Sequence, residues 1–229
     1  MNEIILEIKN LHKYFQTGDT ILKVLKGLDL KVKKGQIVAI TGESGVGKST
    51  LLSLIGGLDF VTDGSIKIKQ TEITKLDQEQ LNIFRAQYIG FMFQFHYLLP
   101  EFNAIENVFL PLMIKEKRFK KEFFNKAKTV LKEVGLEKRI YHKPGELSGG
   151  ECQRIALSRA LVKNPEIVIA DEPTGNLDDK NTEIVFNLIA KLNKKYKTTF
   201  IIATHNLQVT KIAHQVFILK NGRLYVRKK

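Results

Sequence analysis

The sequence predicts an α/β fold built on a parallel sheet wrapped by helices, and three observations carry that expectation. Apolar runs at 37–40, 167–170 and 200–203 have the near-continuous hydrophobicity of strands buried on both faces. Helical periodicity alternates with them, as it does when crossover helices join parallel strands. A glycine-rich loop links the first run to the helical segment 49–55, which is the strand–loop–helix setting of a phosphate-binding loop.

That loop reads Gly42, Glu43, Ser44, Gly45, Val46, Gly47, Lys48, Ser49, with Thr50 next. Its glycines let backbone N–H groups turn around phosphate oxygens, and the start of the following helix adds positive potential. Lys48 is expected to reach the β- and γ-phosphates and the Ser49 hydroxyl to ligate Mg²⁺. The bland alternative is a glycine-rich turn beside a surface lysine. The flanking strand and helix argue for binding of a nucleoside triphosphate.

The remaining elements follow in order. Segments 4–9, 24–32 and 65–68 alternate apolar and polar residues, with turn signals at Gly18, Lys34-Gly35 and Asp63-Gly64. They read as antiparallel strands beside the parallel sheet. Residues 100–161 read as mostly helical, with an amphipathic stretch at 119–134. Segment 181–192 sets Ile184, Val185, Leu188, Ile189 and Leu192 on one helical face, with Asp179 as the expected N-cap. The basic end, 227–229, is expected to fray.

With 229 residues, 43% of them hydrophobic, the chain can complete one sizeable core. Its start alternates like a strand and lacks a basic leader, so no signal peptide is expected. No stretch is apolar for long enough to span a bilayer. Cys152 is the only cysteine, which excludes an intrachain disulfide and points to the cytosol. The net charge of +13 invites nucleic acid or an anionic membrane as partner. The lysines, however, are dispersed and not interleaved with aromatics. General lysine richness therefore comes first, a membrane surface next, and no nucleic-acid partner is expected.

Two further segments carry chemistry. The apolar run at 167–170 ends in Asp171 and Glu172, at the strand exit where ligands bind in open α/β sheets. Asp171 can hold Mg²⁺ and Glu172 can accept a proton from an attacking water. Ser148, Gly149, Gly150 and Glu151 open a helix. Ser148 and Glu151 have capping-box spacing, while two glycines in a first helical turn cost stability and ask for another reason, such as backbone approach to an anion.

Phosphate loop, LSGGE segment at 147–151 and Asp171-Glu172, in this order, resemble the ATP-binding cassette (ABC) ATPases along essentially the whole chain. The resemblance implies a P-loop NTPase (RecA-like) core at 1–94 and 162–229, with an antiparallel β subdomain and an inserted helical subdomain at 95–161. It implies ATP and Mg²⁺ as ligands. By the same likeness Gln94 touches Mg²⁺ and the attacking water, 176–178 forms the D-loop, His205 contacts the γ-phosphate, and Phe15 stacks on adenine, with Tyr14 as the neighbouring alternative. Ser148, Gly149 and Gly150 would complete the ATP site of an opposite subunit, so a head-to-tail homodimer is implied.

Finer tracts, FMFQFHYLLP at 91–100, AIENV at 104–108 and ADEPTGNLD at 170–178, resemble the cassettes of lipoprotein-releasing (LolD) and MacB-type transporters. These imply an ATPase peripheral to the cytoplasmic face of the inner membrane, driving separate permease subunits, most simply in lipoprotein release. MacB-type export and FtsE-like cell-division ATPases are the alternatives. Glu43 and Val46 in the loop, and Cys152 and Ser158 in the later helix, depart from the usual residues, but no catalytic group is missing. Aromatic residues within 95–113, Tyr97 and Phe102 among them, are expected to form a docking patch for a membrane subunit.

Overall fold

A computed structural model describes residues 3–116 and 120–227. Two sheets divide the strands. Four antiparallel strands, β1 (Ile4–Thr17), β2 (Thr20–Lys33), β4 (Asp63–Ile68) and β5 (Thr71–Glu72), are ordered β2-β1-β4-β5. The other sheet is ordered β10-β9-β3-β8-β7-β6. It is made of β3 (Ile37–Thr41), β6 (Ile89–Met92), β7 (Ile167–Asp171), β8 (Thr199–Ala203), β9 (Gln215–Lys220) and β10 (Arg223–Val226). Its strands run parallel except for the β9–β10 hairpin.

The central strands are apolar on both faces because each face meets a different core. Along β3, Ile37 and Ala39 join one cluster while Val38 and Ile40 join the other. Side chains of a strand alternate between faces, so a two-sided strand must be apolar at every position. The first cluster lies between the sheet and α3 (Ala104–Glu116), α4 (Lys121–Glu133), α5 (Gly149–Leu161) and α6 (Asp179–Tyr196). The second packs α1 (Lys48–Ile55), α2 (Gln78–Tyr88) and the antiparallel sheet against the opposite face.

Several expectations need correction. Asp63-Gly64 is not a turn but the first step of β4, where a Cβ on Gly64 would lie 2.3 Å from the Asn10 carbonyl oxygen. The N-cap of α6 is Asp178, whose carboxylate accepts from the Asn181 N–H at 2.7 Å, and Asp179 is the first helical residue. The amphipathic helix runs from Lys121 to Glu133; Phe119 lies outside the described residues, as do 228–229 of the basic end. Strands β6, β9 and β10 and helix α2 add to what the sequence pattern marked.

Candidate functional site

The phosphate-binding loop emerges from the buried end of β3 and turns into α1. Gly47 sits at φ 105, and a Cβ there would stand 2.6 Å from a Val24 methyl, so the loop tolerates no side chain at that position. No side chain caps α1 and no acidic residue stands in its first turn. Its leading N–H groups and the positive end of its dipole therefore face the loop without competition. Lys48 is buried, and its ammonium donates to the Gly42 and Glu43 carbonyls at 3.0 and 2.9 Å. Val46 packs on the core below.

Beside this loop opens a cleft of about 840 Å³. Ser44, Gly45, Gly47, Lys48, Ser49 and Thr50 form its floor, and Gln94, Glu172 and His205 one wall. Phe15, Leu22 and Val24 form the apolar remainder. The volume suits a nucleotide-sized ligand. The two neighbouring aromatics differ in placement. Phe15 lines the cleft, whereas the Tyr14 hydroxyl is engaged with His12 Nδ1 at 2.8 Å. Lys13 Nζ lies 4.7 Å from the Phe15 ring centroid and is itself anchored to Asp59 and the Phe60 carbonyl. Sequence reasoning did not mark Leu22 and Val24, because an apolar residue on a strand edge carries no ligand signal before the fold is known.

The charged wall comes from the ends of β7 and β8. Glu172 has a left-handed backbone, φ 44, held by its N–H donating to the Ala203 carbonyl at 2.8 Å. A non-glycine residue in that region is strained and marks a position fixed by its surroundings. Its carboxylate lies 3.1 Å from His205 Nδ1, accepts from the His205 N–H at 3.2 Å, and stands 3.8 Å from Lys48 Nζ. A carboxylate so placed can orient a water and take its proton.

Asp171 precedes it in a drier setting. Burial pushes its carboxyl above the ordinary range; the Glu172 charge adds to this, while a hydrogen bond with the Ser49 side chain and the Lys48 charge oppose it. Its Oδ1 is buried without a hydrogen-bond partner. Such an orphaned oxygen is costly unless something fills its coordination. Ser49 and Gln94 line the cleft and Asp171 is hydrogen-bonded to Ser49; their oxygens are of the kind a hard divalent cation takes. Mg²⁺ takes few protein ligands and completes its shell from phosphate and water, and among the described residues no cluster of three His, Cys, Asp or Glu offers a cage. Gln94 here donates to the Asn176 side chain at 3.0 Å, which ties it to the 176–178 loop.

Ser148, Gly149 and Gly150 do not join this cleft. Ser148 caps α5 in a reciprocal box, its N–H donating to Glu151 Oε2 at 2.9 Å. Gly150 has a packing reason as well, since a Cβ there would stand 2.4 Å from Asn181 Oδ1, while Gly149 has ordinary room. The glycine pair is thus half explained within the chain.

Comparison with known proteins adds three findings. A family model described as ABC transporter matches residues 25–175. The chain is 47% identical to the lipoprotein-releasing system ATP-binding protein LolD of Legionella pneumophila (strain Paris), covering 99% of this chain and 100% of that one. It is 45% identical to LolD of Acinetobacter baylyi over 97% of both chains. Among solved structures it resembles the ATP-binding cassette MJ0796 in a dimeric post-hydrolysis state bound to ADP and Pi, at 39% identity and a TM-score of 0.89 over 97% of this chain and 98% of that one.

Proposed function

The chain belongs to the ATP-binding subunits of ABC transporters and is an ATP-hydrolysing cassette, and from that premise we propose how its own residues bind ATP, hydrolyse it and pass the work on. The observation that carries the site reading is the Glu172 carboxylate held between Lys48 Nζ and His205 Nδ1 above the phosphate loop. ATP lies in the cleft with its base on Phe15 and its phosphates over 42–50. Lys48 leaves the loop carbonyls for the β- and γ-phosphates. Glu172 accepts the proton of the attacking water, and His205 and Gln94 orient that water and the γ-phosphate. Mg²⁺, held through Ser49, Asp171 and Gln94, would neutralise the charge building on the phosphates.

Two copies assemble head to tail, so that Ser148, Gly149 and Gly150 of each meet the γ-phosphate bound by the other. The dimeric state of MJ0796 supports the assembly of two copies. Residues 1–94 and 162–229 form the nucleotide-binding core and 95–161 the helical subdomain that transmits its closure.

The names of the near full-length relatives support lipoprotein release as the process driven. In this reading the subunit is peripheral at the cytoplasmic face of the inner membrane. Among the described residues no helix is long and apolar enough to cross a membrane. Permease subunits are the partners in this reading. Their docking surface is the 95–113 region. Tyr97 is 64% exposed and Phe102 38%, and Phe102, Phe109, Leu110 and Met113 with Glu106 line a mostly apolar groove of about 220 Å³. Because both side chains reach solvent, Tyr97→Asp and Phe102→Asp should leave folding and ATP binding intact and abolish capture of the permease. A large fall in melting temperature in either variant would defeat docking at that position.

The decisive test of the site is Glu172→Gln. It should still bind ATP while hydrolysis falls 10²–10⁴-fold, equivalent to about 3–5 kcal/mol of barrier. Size-exclusion chromatography should show an ATP-dependent dimer of this variant. Turnover near that of the unaltered chain removes Glu172 from its role.

A further inference from the structure

Helix α5 begins at Ser148, outside the chain's own cleft, yet it sends one side chain back toward that cleft. Gln153 lies five residues along the helix, about 7.5 Å from Ser148 by helical rise. It is 3% exposed. Its carboxamide Nε2 donates to the Phe93 carbonyl at 2.8 Å and to the Pro173 carbonyl at 2.6 Å. Phe93 immediately precedes Gln94, and Pro173 immediately follows Glu172. One buried amide therefore uses both of its hydrogens to hold the backbone beside two groups of the candidate site.

The backbone at Gln94 belongs to no regular element, although its side chain is tied to Asn176. Gln94 is exposed, and no regular element runs from 93 to 103. Downstream, Arg159 of the same helix donates to the His96 and Tyr97 carbonyls at 2.5 and 2.6 Å. Helix α5 thus grips the Gln94 segment on both sides, while Gln153 alone also reaches the Glu172 side. Two carbonyls buried against one NH₂ group lose both partners if that group is removed, and the loops they belong to are then free to shift.

We propose that Gln153 is a positioning residue for ATP hydrolysis: it fixes Gln94 and Glu172 relative to each other and links their placement to the α5 segment that begins at Ser148. This inference rests on the site reading above. Gln153 does not line the cleft, so in this proposal it acts on the catalytic step and not on nucleotide affinity.

The test uses the full chain, with ATP turnover and binding of a fluorescent ATP analogue measured for Gln153→Met, which keeps length but donates nothing, and for Gln153→Asn, which keeps the amide but is shorter. Gln153→Met should lower kcat about 10-fold with affinity within twofold, and Gln153→Asn should fall between. In the Gln94→Ala background the Gln153→Met loss should shrink to under threefold, because residues acting through one another are not additive. Full kcat in Gln153→Met, an equal loss in both backgrounds, or failure of both variants to fold overturns the proposal; the last result marks a core residue only. Glu172→Gln in the same assay separates the two levels. If it retains turnover, the site reading itself fails; if it is inactive while Gln153→Met is fully active, only the Gln153 inference falls.

Discussion

At the start of α1 no side chain caps the helix and no carboxylate stands in the first turn, whereas at the start of α5 Ser148 and Glu151 close a reciprocal box. Both starts are rich in glycine, and both were candidates for phosphate. The difference follows from where the ligand comes from. The α1 terminus faces a cleft in its own chain, so its N–H groups stay open for an anion at all times. The α5 terminus does not line that cleft. There the Glu151 carboxylate accepts from the Ser148 N–H and hydroxyl, and the Ser148 hydroxyl accepts from the Glu151 N–H, so the cap is closed within the chain. A self-capped start is stable alone and can still receive a partner's phosphate. An uncapped start depends on its loop for stability.

Ser148→Asp strikes that contrast hardest. Asp is as good an N-cap as Ser but replaces the hydroxyl that donates to Glu151, so the melting temperature of the isolated chain should fall only modestly and the fold persist. A carboxylate facing the partner's γ-phosphate should repel it in a poorly solvated interface, and hydrolysis should fall roughly 100-fold or more. Unchanged turnover would reduce Ser148 to a helix cap and remove the contrast.

Lys48→Ala tests the open terminus. The ammonium now bound to two loop carbonyls is the cation available to the phosphates. A charge-assisted contact is worth about 1.5–3 kcal/mol, so affinity for a fluorescent ATP analogue should drop roughly 10- to 150-fold. The same variant should leave the α5 start untouched. Equal affinity would mean that the α1 terminus binds no phosphate.

Asp171→Asn separates stability from chemistry at the same site. A carboxyl raised above its unfolded value favours the folded state below its unfolded pKa, and that contribution is lost as pH rises through the folded one. Wherever it is ionised, the partly orphaned Asp171 therefore costs stability in the nucleotide-free chain. The amide should raise the melting temperature without ATP and lower turnover, and Mg²⁺ should no longer increase the stabilisation given by ATP. A lower melting temperature in the nucleotide-free variant would show that Asp171 is already satisfied.

The parts of this molecule readable in the sequence are those with strong local rules. The phosphate loop combines strand, glycines, lysine and helix in one window, and the β7 end carries two adjacent carboxylates. The β9–β10 hairpin obeyed a local rule too. Asn221 and Gly222 both take positive φ, as an Asn-Gly hairpin turn requires, and the pair was available as a signal. Strand β6 offered less, being four residues with a glycine inside. The Asp178 cap and the Asp63-Gly64 strand start depended on choosing between adjacent positions, which tertiary contacts decide. What no pattern carries is the meeting of distant residues: Leu22 with Phe15 in the cleft, or Gln153 with Phe93 and Pro173. Those require the topology that brings β2 beside the loop and α5 beneath the sheet's edge.

The smallest effect concerns the self-cap itself. The Glu151 carboxyl is held below the ordinary range, first by the hydrogen bond from the Ser148 backbone and then by that residue's side chain, with Arg139 and Arg154 adding charge and burial opposing. A depressed carboxyl stabilises the fold above its unfolded value, near 4.5, and that stability is lost as pH falls through the lower folded value. Glu151→Gln keeps an acceptor but no charge, so at neutral pH it should cost about 0.5 kcal/mol, roughly 1–2 °C in a chain this size. Melting curves of the unaltered chain and the variant should converge as pH drops from 5 toward 3. The gap should also narrow with salt, since part of it is exposed charge on a helix start. A gap that persists unchanged at the acid end would mean that Glu151 caps α5 as a neutral acceptor, and that the α5 terminus, like that of α1, is electrostatically open.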